Sequence, residues 1–564
     1  MNRNGFRVAW FCSMVLAMST RLVLANARIG TSSDVRSVVV DGTDITAIVS
    51  PRDAPTGRRI DLEGRRVIPG IDDSHLHAYE VGRALTAIDL TACSDLAQLQ
   101  AALTSASPEA TGWYRGHGWE STNILGSGTE GRLTAADIDA VTPDAPALLG
   151  DSTGHAALAN TLALQAAGVS RQTPNPDGGV IVRDSTGAPT GLLLEAAVGL
   201  VSQAIPAVSY AERVNALRAM QSHLLAQGIV SVTDPGLGPG GATLLDGTGT
   251  FEVIDAYRDL DAAGDLRLRT HVMLLFGGLG GTTAREVAAG LDAWGPPTRA
   301  HRSGRLSIDQ LKVFADGIPR SRTAWVSEPY DDCSHGSLTV AGDTDEERVA
   351  ELHRIVAAGA SRGWQVGAHC VGDAAVTSFV DAVVATSTSH LRHYVIHGDL
   401  VTDADLRRMG AAGIGWNTNP SIRWRVGNKV NGVLGRERNL SKQPLSAAAT
   451  HGVNLALSSD APVIQADWRL ILAAAMSRAL SDDPSYTDDA RLRPDAALRG
   501  MSANAARQCH EDDWRGLLRP GYAADLVVLD GAPDWQQPWS LMECGVHSVY
   551  IDGTCVHSGM GSIA

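Results

Sequence analysis

The chain has 564 residues, 44% hydrophobic and 19% charged, which is enough apolar material for a large globular core. Its net charge of -15, with no basic stretch, excludes nucleic acid and anionic membrane surfaces as expected partners. The seven cysteines are odd in number and form no Cys-x-x-Cys pair, which excludes a disulfide framework and suits a reducing compartment.

At the N-terminus, two arginines precede an apolar run from Val8 to Met18, and Ala25-Asn26-Ala27 has the form of a cleavage site. Against a signal peptide, RLVLANARIG (21–30) reads as a first strand that cleavage after Ala27 would destroy. Residues 1–20 are therefore assigned as an N-terminal extension or signal-like segment. A cytoplasmic location is expected, with export the alternative if residues 1–27 are a signal peptide. No other run reaches transmembrane length. Residues 21–66, including VRSVVVDGTDITAIVS, are β-rich without helical period, and so are residues 511–564, with LVVLDGAPD and VHSVYIDGTCV. The two ends are expected to form one small composite β-sandwich domain.

Residues 67–78 read VIPGIDDSHLHA. In an extended chain, i and i+2 share a face, so His75 and His77 would project together as half of a metal site. Seven more apolar runs follow: 228–236, 267–275, 308–317, 364–373, 392–400, 413–420 and 453–462. Ala- and Leu-rich helical stretches separate them, such as DEERVAELHRIVAAGASRG before the fifth strand. Eight strand–helix alternations predict an α/β fold, a (β/α)8 TIM-like barrel over 67–510. The gap of about 150 residues between the first two strands holds an insertion at about 110–205, over the active-site face.

Catalytic groups of such barrels sit at the C-terminal strand ends. There the sequence places His75 and His77, Lys312, His369, His397 and Asp460, more ionisable groups than a core requires. Lys312 lies in the apolar run LKVF, which argues against a surface lysine.

The chain resembles the amidohydrolase superfamily, in the branch that includes N-substituted formamide deformylases. The resemblance covers nearly the whole chain. It rests on PGIDDSHLH (69–77), GHGWE (116–120), TGHAALANTLAL (153–164), TGLLLEAA (190–197), LKVFADGIPRSRTA (311–324), AHCVGDAAV (368–376), VIHGDLV (395–401), LSSDAP (457–462) and LRPGYAADLVVLD (518–530). It implies that His75 and His77 bind one metal ion and that His369 and His397 bind a second. A carboxylated Lys312 would bridge them, and Asp460 would be both ligand and general acid/base. An ammonium beside two cations would lose its proton, and the neutral amine adds carbon dioxide to give an anionic carbamate. The donor set suits two divalent ions, zinc first, with manganese or iron as alternatives.

Within the insertion, His155 is the candidate substrate contact. After strand seven, Trp416 and Trp424 are candidates for lining a pocket, with packing as the competing role. The chain departs from the family pattern at Asp72, Glu120 and Thr153; Glu195 matches it without an assigned role. The expected activity is metal-dependent hydrolysis of a non-peptide C–N bond (amide, N-formyl or N-acyl) by an activated hydroxide. Hydrolysis of esters, lactams or cyclic amides on the same centre is the alternative. A non-catalytic relative is a further alternative, disfavoured because all six ligand positions are filled. The expected partners are a small amide-type substrate and, in a homodimer, a second copy.

Overall fold

The computed structural model describes residues 21–559 except 110, 120–123, 129–130, 152–155, 177–178, 196, 240–249 and 278–280. Eight parallel strands form the central sheet: Ile71–Asp73, Ile229–Leu237, Arg269–Leu274, Leu306–Phe314, Gln365–Cys370, Tyr394–His397, Gly415–Thr418 and Leu455–Leu457. These are the eight runs read from the sequence, in the same order around the barrel. Both faces are covered, so the strands carry continuous apolar runs; all nine residues of Ile229–Leu237 are buried.

Among the described residues no ladder joins strand eight to strand one. Hydrogen bonds cross that seam instead. The Asp460 N–H donates to His75 O and the His77 N–H to Ala461 O, both at 2.9 Å. The Ser459 N–H donates to Asp73 Oδ1 at 3.0 Å. The two strand ends that carry the candidate ligands are thus tied directly to each other.

The expected helix before strand five spans Asp345–Ala360. Thr344 caps it by accepting from the Glu347 N–H, Glu347 returns the bond, and three acidic residues in the first turn favour the positive end of the helix dipole.

Strands from both termini join one eight-stranded sheet, in the order 554–558, 546–551, 526–529, 66–69, 21–29, 35–41, 44–49, with 58–61 also on 21–29. Strand 66–69 leads into the barrel through Gly70, where a Cβ would lie 2.5 Å from Val230 Cγ2. The insertion carries a six-stranded sheet, in the order 179–183, 189–195, 156–159, 147–151, 114–119, 88–89, so it begins with a strand ahead of residue 110. The six described cysteines are free thiols, and no helix among the described residues is long and apolar enough to cross a membrane.

Candidate metal centre

The extended run expected through His77 ends at Asp73. His75 and His77 come instead from the turn between strand one and the helix Ala78–Thr86, with His77 as its N-cap residue. Their rings lie 5.6 Å apart, edge to face. The turn is held by Asp234, near the end of strand two. Its carboxylate accepts the Ala78 N–H at 3.1 Å, the Tyr79 N–H at 3.3 Å and the Tyr257 hydroxyl at 2.8 Å. These bonds satisfy N–H groups that a helix start leaves unpaired. Burial still raises the Asp234 carboxyl to about 6.

Asp460 meets both imidazoles across the seam. Its Oδ1 lies 3.3 Å from His75 Nε2 and 3.2 Å from His77 Nε2. Burial alone would raise its carboxyl, but the hydrogen bonds from His75 and His77 outweigh that and hold it well below the usual range. Burial, then the Lys312 charge, lowers His75 to about 3, so this imidazole is neutral and keeps a lone pair near pH 7. The donor atoms of His75, His77 and Asp460 all lie within 4.8 Å of one another. Tetrahedral bonds of about 2.1 Å put neighbouring donors about 3.4 Å apart. The two nitrogen–oxygen separations fit that edge, so the residues suit a divalent ion.

The other candidates converge on the same point. Lys312 is 2% exposed, and its Nζ lies 3.5 Å from His75 Nε2. The His369 and His397 rings are 4.6 Å apart, and His397 is 5.5 Å from His75. Burial, then the neighbouring His369, lowers His397 to about 4. In strand six, Ile396 clusters with Met273 and Tyr394, whereas Val395 joins the main core with Trp416. Strand alternation would therefore send the His397 side chain the way of Val395. A left-handed backbone, φ 67°, breaks that alternation; Asp460 is also left-handed, at φ 62°. Non-glycine residues adopt this region at a cost, and such strain concentrates at functional sites.

All six expected ligand positions are thus brought together. Trp416 is not among them. It is fully buried, its indole N–H donates to His397 O at 2.8 Å, and it offers a substrate no exposed surface. The strand pleat explains this: Asn417 reaches Ser74 and Gln508, and Trp416 faces the opposite way into the packed helices. Trp424 is partly buried, with its ring 5.8 Å from that of Trp539. His155, Glu120 and Thr153 lie outside the described residues. The departure at Asp72 has a partner: Arg515 donates to its carboxylate at 2.6 Å, and both side chains are buried.

Three residues escaped the sequence reading. Besides Asp234, Asp316 accepts the Val371, Gly372 and Trp325 N–H groups at 2.8–3.0 Å and stands 3.4 Å from His369 Nδ1. Asn419 faces His397 Nδ1 at 2.7 Å. Asp234 lies near the end of strand two and Asp316 just past the end of strand four, which was the available signal.

The family model described as "Amidohydrolase family" matches residues 58–557. The protein YtcJ of Bacillus subtilis (strain 168) is 29% identical over 513 residues, covering 89% of this chain and 91% of YtcJ. An N-substituted formamide deformylase of Arthrobacter pascens is 27% identical over 568 residues, covering 96% and 99%. The crystal structure of an uncharacterized metal-dependent hydrolase from Pyrococcus horikoshii OT3 has the same fold, with a TM-score of 0.72 at 23% identity, covering 95% of this chain and 100% of that one.

Proposed function

This chain belongs to the amidohydrolase family, and from that premise we propose that it hydrolyses a non-peptide C–N bond in a small amide, of the N-formyl or N-acyl type, at a centre of two divalent ions. The observation that carries the reading is the convergence of His75, His77 and Asp460 on one point, with Lys312 3.5 Å from His75. The name of the Arthrobacter relative favours an N-formyl substrate.

His75, His77 and Asp460 would hold one ion, zinc before manganese or iron, and His369 and His397 the other, with a carbamate on Lys312 between them. When bound, the ions supply Lewis acidity toward the carbonyl and an acidified water. The neutral imidazoles offer lone pairs without having to lose a proton first. Asp460, a carboxylate set beside both imidazoles, takes the proton of the attacking water. It then returns that proton to the nitrogen of the leaving amine as the C–N bond breaks. The test is a turnover screen across N-formyl amines, N-acyl amines, lactams and esters. Turnover of the N-formyl or N-acyl amines, abolished by a chelator, supports the reading. Turnover confined to esters or lactams contradicts the substrate class, and no turnover of any class by metal-loaded protein favours a non-catalytic relative.

A further inference from the structure

We propose that Asn419 is a positioning residue for His397, and that it heads a one-way hydrogen-bond relay crossing the barrel seam through Ser458 and Asn417 to Ser74, the residue before His75. The inference rests on the metal reading of the site. Every member is buried: Asn419 and Gln508 are 1% and 3% exposed, and Asn417, Ser458 and Ser74 are 0% exposed.

Main-chain carbonyls, which can only accept, fix the direction of the relay. The Asn419 amide nitrogen donates to Ser458 O at 3.3 Å as well as to Ser458 Oγ at 3.0 Å. Its oxygen must then be the atom facing His397 Nδ1 at 2.7 Å. The Asn417 amide nitrogen faces Ser74 O at 3.1 Å, Ser74 Oγ at 2.9 Å and Gln508 Oε1 at 3.0 Å. Its oxygen is therefore left to accept the Ser458 hydroxyl at 2.5 Å. The Gln508 amide nitrogen in turn donates to Ser74 O at 3.0 Å. With both amides oriented this way, His397 Nδ1 has to carry the proton and donate it. The imidazole is then held in the tautomer whose Nε2 lone pair is available to an ion, the service that hydrogen-bond partners behind metal-binding histidines perform.

The relay also has a mechanical consequence. It spans the gap where strands eight and one share no ladder, so the placement of His397 is tied to the turn that carries His75 and His77. A buried hydroxyl or amide left without its partner is destabilising, so breaking one link loosens the next.

The test titrates zinc alone into metal-free protein by calorimetry, comparing wild type with Asn419→Leu, Asn419→Asp and Ser458→Ala, with thermal unfolding recorded for each. The wild type is expected to take up two ions. Asn419→Leu removes the acceptor and is expected to weaken one of the two by about 10–100-fold. Asn419→Asp keeps an acceptor for His397 and is expected to restore most of that affinity, a rescue that a merely structural asparagine would not show. Ser458→Ala leaves both ends in place and is expected to weaken the same ion by a smaller factor. Wild-type affinity in Asn419→Leu, or no rescue by Asn419→Asp, overturns the positioning role. Wild-type affinity in Ser458→Ala overturns the relay beyond Asn419. If Asn419→Leu does not fold, the other two variants still decide. A wild-type chain that takes up no zinc defeats the metal reading itself, and this inference with it.

Discussion

Replacing Asp460 with asparagine separates holding an ion from moving a proton. Asp460 Oδ1 stands 3.2–3.3 Å from the Nε2 atoms of His75 and His77. An amide oxygen fits the same place and remains an acceptor, so the site keeps its shape. The substitution removes the negative charge and any capacity to take a proton from water or return it to the amine. Metal content should therefore fall only partly. The loss of a general acid/base lowers kcat by roughly a hundredfold or more, about 2.7 kcal/mol in activation free energy. Metal content and kcat must be measured on the same preparation, because a rate loss that merely follows metal loss says nothing about proton transfer. If Asp460→Asn retains both ions and turns over near the wild-type rate, Asp460 is not the proton carrier, and another group takes the role.

Lys312→Ala should lose the second ion and nearly all activity, and short carboxylic acids should restore part of both by replacing the carbamate; metal analysis with and without acetate checks this. Glu511→Gln should cost about 3–5 kcal/mol at neutral pH, because it breaks a buried ion pair and leaves Arg515 with Asp72 alone. Burial would raise the Glu511 carboxyl, but the charges and hydrogen bonds of Arg515 and His271 together outweigh it and depress the carboxyl far below its ordinary value. The carboxylate's stabilisation is therefore fully present above the ordinary glutamate range and lost as pH falls through the depressed folded value. Urea unfolding at pH 7 and at pH 3 should show the gap between wild type and Glu511→Gln narrowing at the lower pH; a gap independent of pH would refute the linkage.

The barrel was legible because eight apolar runs alternate with helical stretches, and because His75, His77, Lys312, His369, His397 and Asp460 fall at or near the C-terminal ends of five of those runs. The supporting groups were harder to read. Asp234 and Asp316 act on backbone N–H groups, and such bonds leave no spacing pattern in the sequence. Asn419 acts with Asn417, Ser458, Ser74 and Gln508, most of which only the fold brings to it. Trp416 stayed between pocket lining and packing because an aromatic near a strand end looks the same whether it faces the mouth or the helices; the pleat, with Asn417 turned inward, puts it among the packed helices. The left-handed turn that brings His397 to His369 carries no sequence signature, since His397 is not a glycine.

The central claim is that a pair of metal ions makes this chain a hydrolase. It is tested most directly by counting transition-metal ions per chain in purified protein and following turnover of N-formyl amines as those ions are stripped and returned. The account expects close to two ions per chain, loss of turnover on chelation and recovery when zinc is restored. A chain free of metal that hydrolyses at the full rate would contradict it.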